Sequence, residues 1–183
     1  MPQTLAQTMT VGDRIRAQHE EIRLRFAETA GGGLAGQTAW PLLVRLLAVH
    51  ETAEEIVVYP AVAATGSRGL RAVRARKAEE RRAKVTLADL ESLDPASPTF
   101  GPRLEAFRAI VEAHAEAEEA EVLPLLEERC SAAQLRAMDR LFVASQCVAP
   151  THAHRFAPVG AVGNLAVGPA VGLIDRVRDA MSR

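Results

Sequence analysis

The chain has 183 residues, room for one ordinary domain and an extended tail, since single domains commonly run about 100–200 residues. Its net charge of −1, with both signs interspersed, excludes a generic electrostatic affinity for nucleic acid or an anionic membrane surface. The only cysteines, Cys130 and Cys147, have neither the CxxC spacing of a zinc or redox site nor the density of a disulfide scaffold, and are read as reduced thiols.

The start, MPQTLAQTMTVGDRIRAQ, lacks the charged opening, long apolar core and cleavage site of a secretory signal, so a cytoplasmic location is expected. Apolar residues then recur at helical spacing through most of 11–146, without runs of alternating β-branched residues. Ile15, Ile22 and Phe26 line one face of a first helix, with His19 on the same face, and AGGG at 30–33 stops it. A second helix is expected from Thr38 or Trp40 to Tyr59, with Leu43, Leu46, Leu47, Val57 and Val58 inward and Pro60 disturbing its end. A third spans about 68–92 on Val73, Ala83, Leu87 and Leu90, interrupted by Arg76, Lys77 and Glu80, and DPASP ends it. The fourth runs from about Thr99 to Glu128 through Phe107, Ile110, Val111, Val122 and Leu125, with His114 and Glu118 inward. A shorter fifth helix follows over about 131–146. The fold class is therefore all-α: an antiparallel up-down four-helix bundle with a fifth helix over 1–148, and a Pro/Gly-rich tail with a short terminal helix over 149–183. In that tail GAVGNLAVGPAVGLI is too short and too broken to span a bilayer, so no membrane segment is expected.

Two segments repeat. HETAEEIVVYP (50–60) and HAEAEEAEVLP (114–124) share HxxxEE and a proline ten residues after the histidine. Residues four apart on a helix stand one above the other, so each copy offers an imidazole and a carboxylate to one cavity. That ligand set suits iron, manganese or zinc, and a carboxylate has two oxygens with which to bridge two ions. No histidine has a glutamate three residues before it, which disfavours the Glu-x-x-His pattern of ferritin-like bundles. His19 precedes His50 by one helix; a similar count back from His114 reaches about residue 83, where the nearest inward-compatible ligand, allowing for a longer connecting loop, is Glu80, although symmetry would ask for a histidine.

These residues resemble the hemerythrin-like, HHE cation-binding family over about 11–128, and the tail, PTHAHRFAP with NLAVGPAVGLIDRVRDAM, is similar to the C-terminal extension of actinobacterial members. His19 in AQHEEI matches the first family histidine, His50 with Glu54 the first pair, and His114 with Glu118 the second. The chain departs from the family at Glu80, which stands where a histidine is expected. The resemblance implies two non-haem iron ions with an oxo or hydroxo bridge, held by bridging Glu54 and Glu118 and terminal His19, His50 and His114. Glu80 would supply an oxygen in place of the imidazole and favour ferric iron.

Other readings stand beside these. Arg76 or Lys77 could pair with Glu80, or Glu79 could face inward instead; Glu55 and Glu119 turn about 100° from the bridging positions, tuning charge or facing solvent. Tyr59 is a core residue or a phenol near the metals, and His152 and His154 are packing residues of the tail or a surface metal pair. The basic run RAVRARKAEERRAK lacks interleaved aromatics and reads as a solvated face, so no nucleic-acid partner is expected. Three functions follow: binding or sensing O2 or NO; a di-iron redox enzyme with peroxidase, catalase-like or ferroxidase activity, taking H2O2 or iron; or a structural or regulatory bundle with a degenerate or zinc-filled site.

Overall fold

The computed structural model describes residues 9–147, and every regular element among them is helical. Helix α1 (Val11–Ala30) opens on a capping box, in which the Thr10 hydroxyl accepts from the Asp13 N–H and the Asp13 carboxylate accepts from the Thr10 N–H. It ends at the glycine run, where Gly32 and Gly33 take φ of 67° and 62°, conformations that a side chain would strain. Because those glycines complete the turn at once, α2 (Gly33–Ala53) begins earlier than the expected Thr38 or Trp40 and carries Pro41 inside it.

The expected end of this helix at Tyr59 is corrected. A π turn over Glu54–Val58 follows α2, and α3 (Tyr59–Ala63) continues past Pro60. The Tyr59 N–H bonds the Glu54 carbonyl, five residues back. The wider turn absorbs a residue that has no N–H to give and whose ring would collide with a carbonyl of the preceding turn. The second copy of the repeat does the same: α5 (Phe100–Ala117) passes through a π turn at Glu118–Val122, with the Leu123 N–H on the Glu118 carbonyl, into α6 (Leu123–Arg129) and past Pro124. Between the two copies lies α4 (Ser67–Glu91), and after them α7 (Ala132–Gln146), opened by a Ser131–Gln134 capping box.

Four long helical runs, α1, α2–α3, α4 and α5–α6, pack as a bundle, and α7 lies across α1, α2 and the first π turn. An ion pair between half-buried Arg14 and buried Asp139 ties α7 to α1. Apolar side chains form two clusters. One holds Val11, Ile15, Val58, Tyr59, Val62, Leu123, Leu126 and Phe142; the other holds Ile22, Phe26, Trp40, Leu43, Leu47, Leu90, Phe100 and Phe107. Three inward assignments shift: Ile110 is exposed, and Leu46 and Val57 are only half-buried against their clusters. Along each long run, the residues that separate the clusters are polar: His19, His50 with Glu54, Glu80, and His114 with Glu118.

Neither cysteine forms a disulfide, and no described helix is long and apolar enough to cross a membrane. The tail from 149, with its expected helix near 171–181 and His152 and His154, lies outside the described residues.

Candidate metal centre

The polar layer is built by four helical runs that each bring one turn of polar residues to the same height. His19, His50, Glu54, Glu80 and Glu118 are each at most 3% exposed. Burying so many polar groups in an apolar bundle is costly unless each finds a partner.

The imidazoles are held from behind. The Nδ1 of His19 lies 2.7 Å from Glu119 Oε1, that of His50 2.9 Å from Gln18 Oε1, and that of His114 3.0 Å from Glu79 Oε2. A carboxylate or amide oxygen can only accept, so each Nδ1 carries the proton and each Nε2 presents a lone pair. Those Nε2 atoms point at the carboxylates. His19 Nε2 is 3.5 Å from Glu118 Oε2, His50 Nε2 3.4 Å from Glu54 Oε2, and His114 Nε2 3.6 Å from Glu118 Oε1. Neither side of these contacts has a proton to donate when the carboxylate is ionised, and the buried Nε2 of His19 and of His114 has no hydrogen-bond partner. Glu54 Oε2, Glu118 Oε2 and both oxygens of Glu80 are likewise buried without one.

Ligand atoms gather into two groups, His19, His50, Glu54 and Glu118, and Glu54, Glu80, His114 and Glu118, each with all its atoms within 4.8 Å of one another. The shared members are the two repeat carboxylates. All six residues singled out in the sequence are thus brought together, and a pair of cations between them would satisfy the lone pairs left over. The donor chemistry fits.

Electrostatics agrees. Burial pushes Glu54 well above the ordinary carboxylate range, with Glu118 and Glu80 adding to it. Burial and the neighbouring Glu51 and Glu55 raise Glu80 in the same way. For Glu118 burial acts upward, but His114, His19 and His50 outweigh it and hold the group at about 2. Burial, reinforced by His19, lowers His50 to about 3 and keeps its imidazole neutral. The resistance of Glu54 and Glu80 to ionisation and that of His50 to protonation are both relieved by a divalent cation.

Several neighbours differ from expectation. Glu55 is 1% exposed and adds to the upward push on Glu80, instead of turning to solvent. Arg76 does not pair with Glu80; its Nη2 lies 2.7 Å from Glu79, whose other oxygen meets His114. Tyr59 is in the core and also reaches the site, its hydroxyl donating to Glu118 Oε1 at 2.5 Å. Gln18 and Gln146 were not singled out in the sequence. Gln146 Nε2 donates to Gln18 Oε1 at 3.2 Å, and Phe142 packs edge-on to His50 with ring centroids 6.3 Å apart, so α7 reaches the layer through two side chains. The adjacency of Gln18 to His19, mirrored by Glu79 beside Glu80, was the available signal.

A small cavity opens beside the layer, walled by Ile22, Leu47, Ala83, Val111 and Ala115 and edged by Glu51, Glu112 and Arg23. It leaves about 20 Å³ for the centre of a water-sized molecule, and roughly 10–15 Å³ suffices for one.

A family model described as the hemerythrin HHE cation binding domain matches residues 10–126. The chain is 29% identical over 138 residues to a hemerythrin-like protein of Schizosaccharomyces pombe, covering 75% of this chain and 68% of that protein. Its fold is similar to the crystal structure of a hemerythrin HHE cation binding domain-containing protein from Mycobacterium kansasii, with a TM-score of 0.67 and 20% identity over 75% of this chain and 85% of the other.

Proposed function

The chain belongs to the hemerythrin HHE cation-binding family, and from that premise we propose that it is a non-haem di-iron protein that binds or senses O2 or NO in the bundle core. The observation that carries this reading is the convergence of three outward-braced imidazoles and three buried carboxylates into two groups that share Glu54 and Glu118. His19 and His50 would hold one iron, His114 and Glu80 the other, with Glu54 and Glu118 between them. When bound, the iron pair supplies reversible electron donation to a diatomic ligand. The protein does the rest. Glu119, Gln18 and Glu79 keep every Nδ1 protonated and every Nε2 available. Ile22, Leu47 and Val111 give the cavity an apolar wall, and its size suits a diatomic molecule or peroxide.

A second reading, turnover of H2O2 or oxidation of iron, is favoured by one observation. Glu51 lines the cavity, and burial, opposed by Lys84, lifts its carboxyl to about 7, so it can give or take a proton near neutrality. Anaerobic iron loading followed by metal counting and optical titration with O2, NO and H2O2 separates the two. Two irons per chain and a reversible spectrum with O2 or NO are expected. Sustained consumption of H2O2 would select turnover instead. Retention of fewer than two metals, unaffected by His50→Ala, would overturn both.

A further inference from the structure

The two halves of the metal layer correspond residue by residue. Gln18 braces His50 as Glu79 braces His114, and each bracing residue directly precedes the remaining ligand candidate of its helix, His19 on α1 and Glu80 on α4. The second glutamate of each repeat copy then acts on that candidate: Glu119 lies against His19 Nδ1, and Glu55 adds to the upward push on Glu80. The correspondence fails in charge. In one half a carboxylate backs an imidazole at 2.7 Å. In the other half, the corresponding residues, Glu80 and Glu55, are both carboxylates, each 1% exposed.

The outer difference, Glu79 in place of Gln18, is offset by Arg76, whose guanidinium lies 2.7 Å from Glu79. Glu80 has no such counter-charge: among the described residues no lysine or arginine forms an ion pair with it, and neither of its oxygens has a hydrogen-bond partner. One position therefore offers two imidazoles with the shared carboxylates, and the other one imidazole with an additional, uncompensated carboxylate. Imidazole suits iron, whereas carboxylate oxygen suits manganese; sites of either kind bind Mn(II) less tightly than Fe(II), and the disadvantage is smallest where oxygen replaces nitrogen.

Resting on the dinuclear reading above, we infer that the two positions are chemically distinct: the one built on His19 and His50 selects iron, and the one built on Glu80 and His114 accepts manganese(II), so that the chain holds a mixed manganese–iron pair when both metals are supplied. No electron transfer is needed to form it. The asymmetry resides in Glu80.

The test uses the full chain, stripped of metal and refilled without oxygen from Fe(II) and an excess of Mn(II). After removal of loose metal, both elements are counted and each is located by anomalous diffraction at its own absorption edge. About one manganese and one iron per chain are expected, with manganese at the Glu80–His114 position. Glu80→His should keep two metals and lose the manganese. Two metals without manganese, or with manganese spread evenly over both positions, would overturn this inference and leave the dinuclear reading standing. Fewer than two metals of any kind would overturn the dinuclear reading and this inference with it. Unchanged manganese retention in a folded Glu80→His variant would overturn the role of Glu80, and if that variant does not fold, metal location in the unaltered chain decides.

Discussion

Glu119 lies outside the ligand groups yet decides what one of them can offer. Its carboxylate, 2.7 Å from His19 Nδ1, fixes the tautomer and the ring plane and raises the basicity of Nε2. Glu119→Ala should leave the helix content unchanged by circular dichroism and weaken metal binding by roughly 10–100-fold, read by competition with a chromophoric chelator. Glu51 acts through protons. Its folded value near 7 lies above the ordinary 4.5, so the folded protein binds the extra proton between those values. The stability this contributes is fully present below about 4.5 and is lost as pH rises through about 7. In thermal melts of the metal-free protein, Glu51→Gln should lose less melting temperature than the unaltered chain between pH 4.5 and 7.5. His50 has the opposite sign: a base held at about 3 favours the folded state above 6.5 and costs it stability as pH falls toward 3. The six residues of the layer were legible because repeat spacing and helical geometry are both local. The bracing partners were not, since whether Glu79 or Glu80, or Glu118 or Glu119, faces inward depends on how neighbouring helices rotate against each other.

At the scale of elements, the π turns explain why each repeat copy ends in proline. Pro60 was legible as a disturbance, but the helix end expected there is absent: a proline six residues after the inward glutamate can be passed by widening one turn, a tertiary solution that propensity does not record. A second device sits at the α3–α4 corner. A Cβ placed on Gly69 would stand 2.0 Å from the Val62 carbonyl oxygen and 2.3 Å from Thr65 Oγ1, so glycine there lets the two helices turn back on each other. Gly69→Ala should destabilise the protein by about 1–3 kcal/mol in urea titrations, without altering the metal ligands themselves.

For the whole molecule, the helix count, their order and the apolar stripes were readable because the 3.6-residue period was strong in every long run, while the placement of α7 against α1 and the first π turn depends on distant contacts such as Arg14–Asp139. Removing metal should lower the melting temperature, and refilling to about 100 times the dissociation constant should add ~2.7 kcal/mol of stability, measurable by scanning calorimetry at fixed metal activity. The interruption of the apolar interior by a polar layer has a further consequence. Val11, Ile15, Val62 and Leu126 stand at one end, and Phe26, Trp40, Leu90 and Phe107 at the other, as two separate hydrophobic bodies on the same four helices. Cations joined to all four helical runs would rivet these bodies into one cooperative unit. Without them the ends can open independently, and amide hydrogen exchange would resolve two opening free energies where the filled protein shows one.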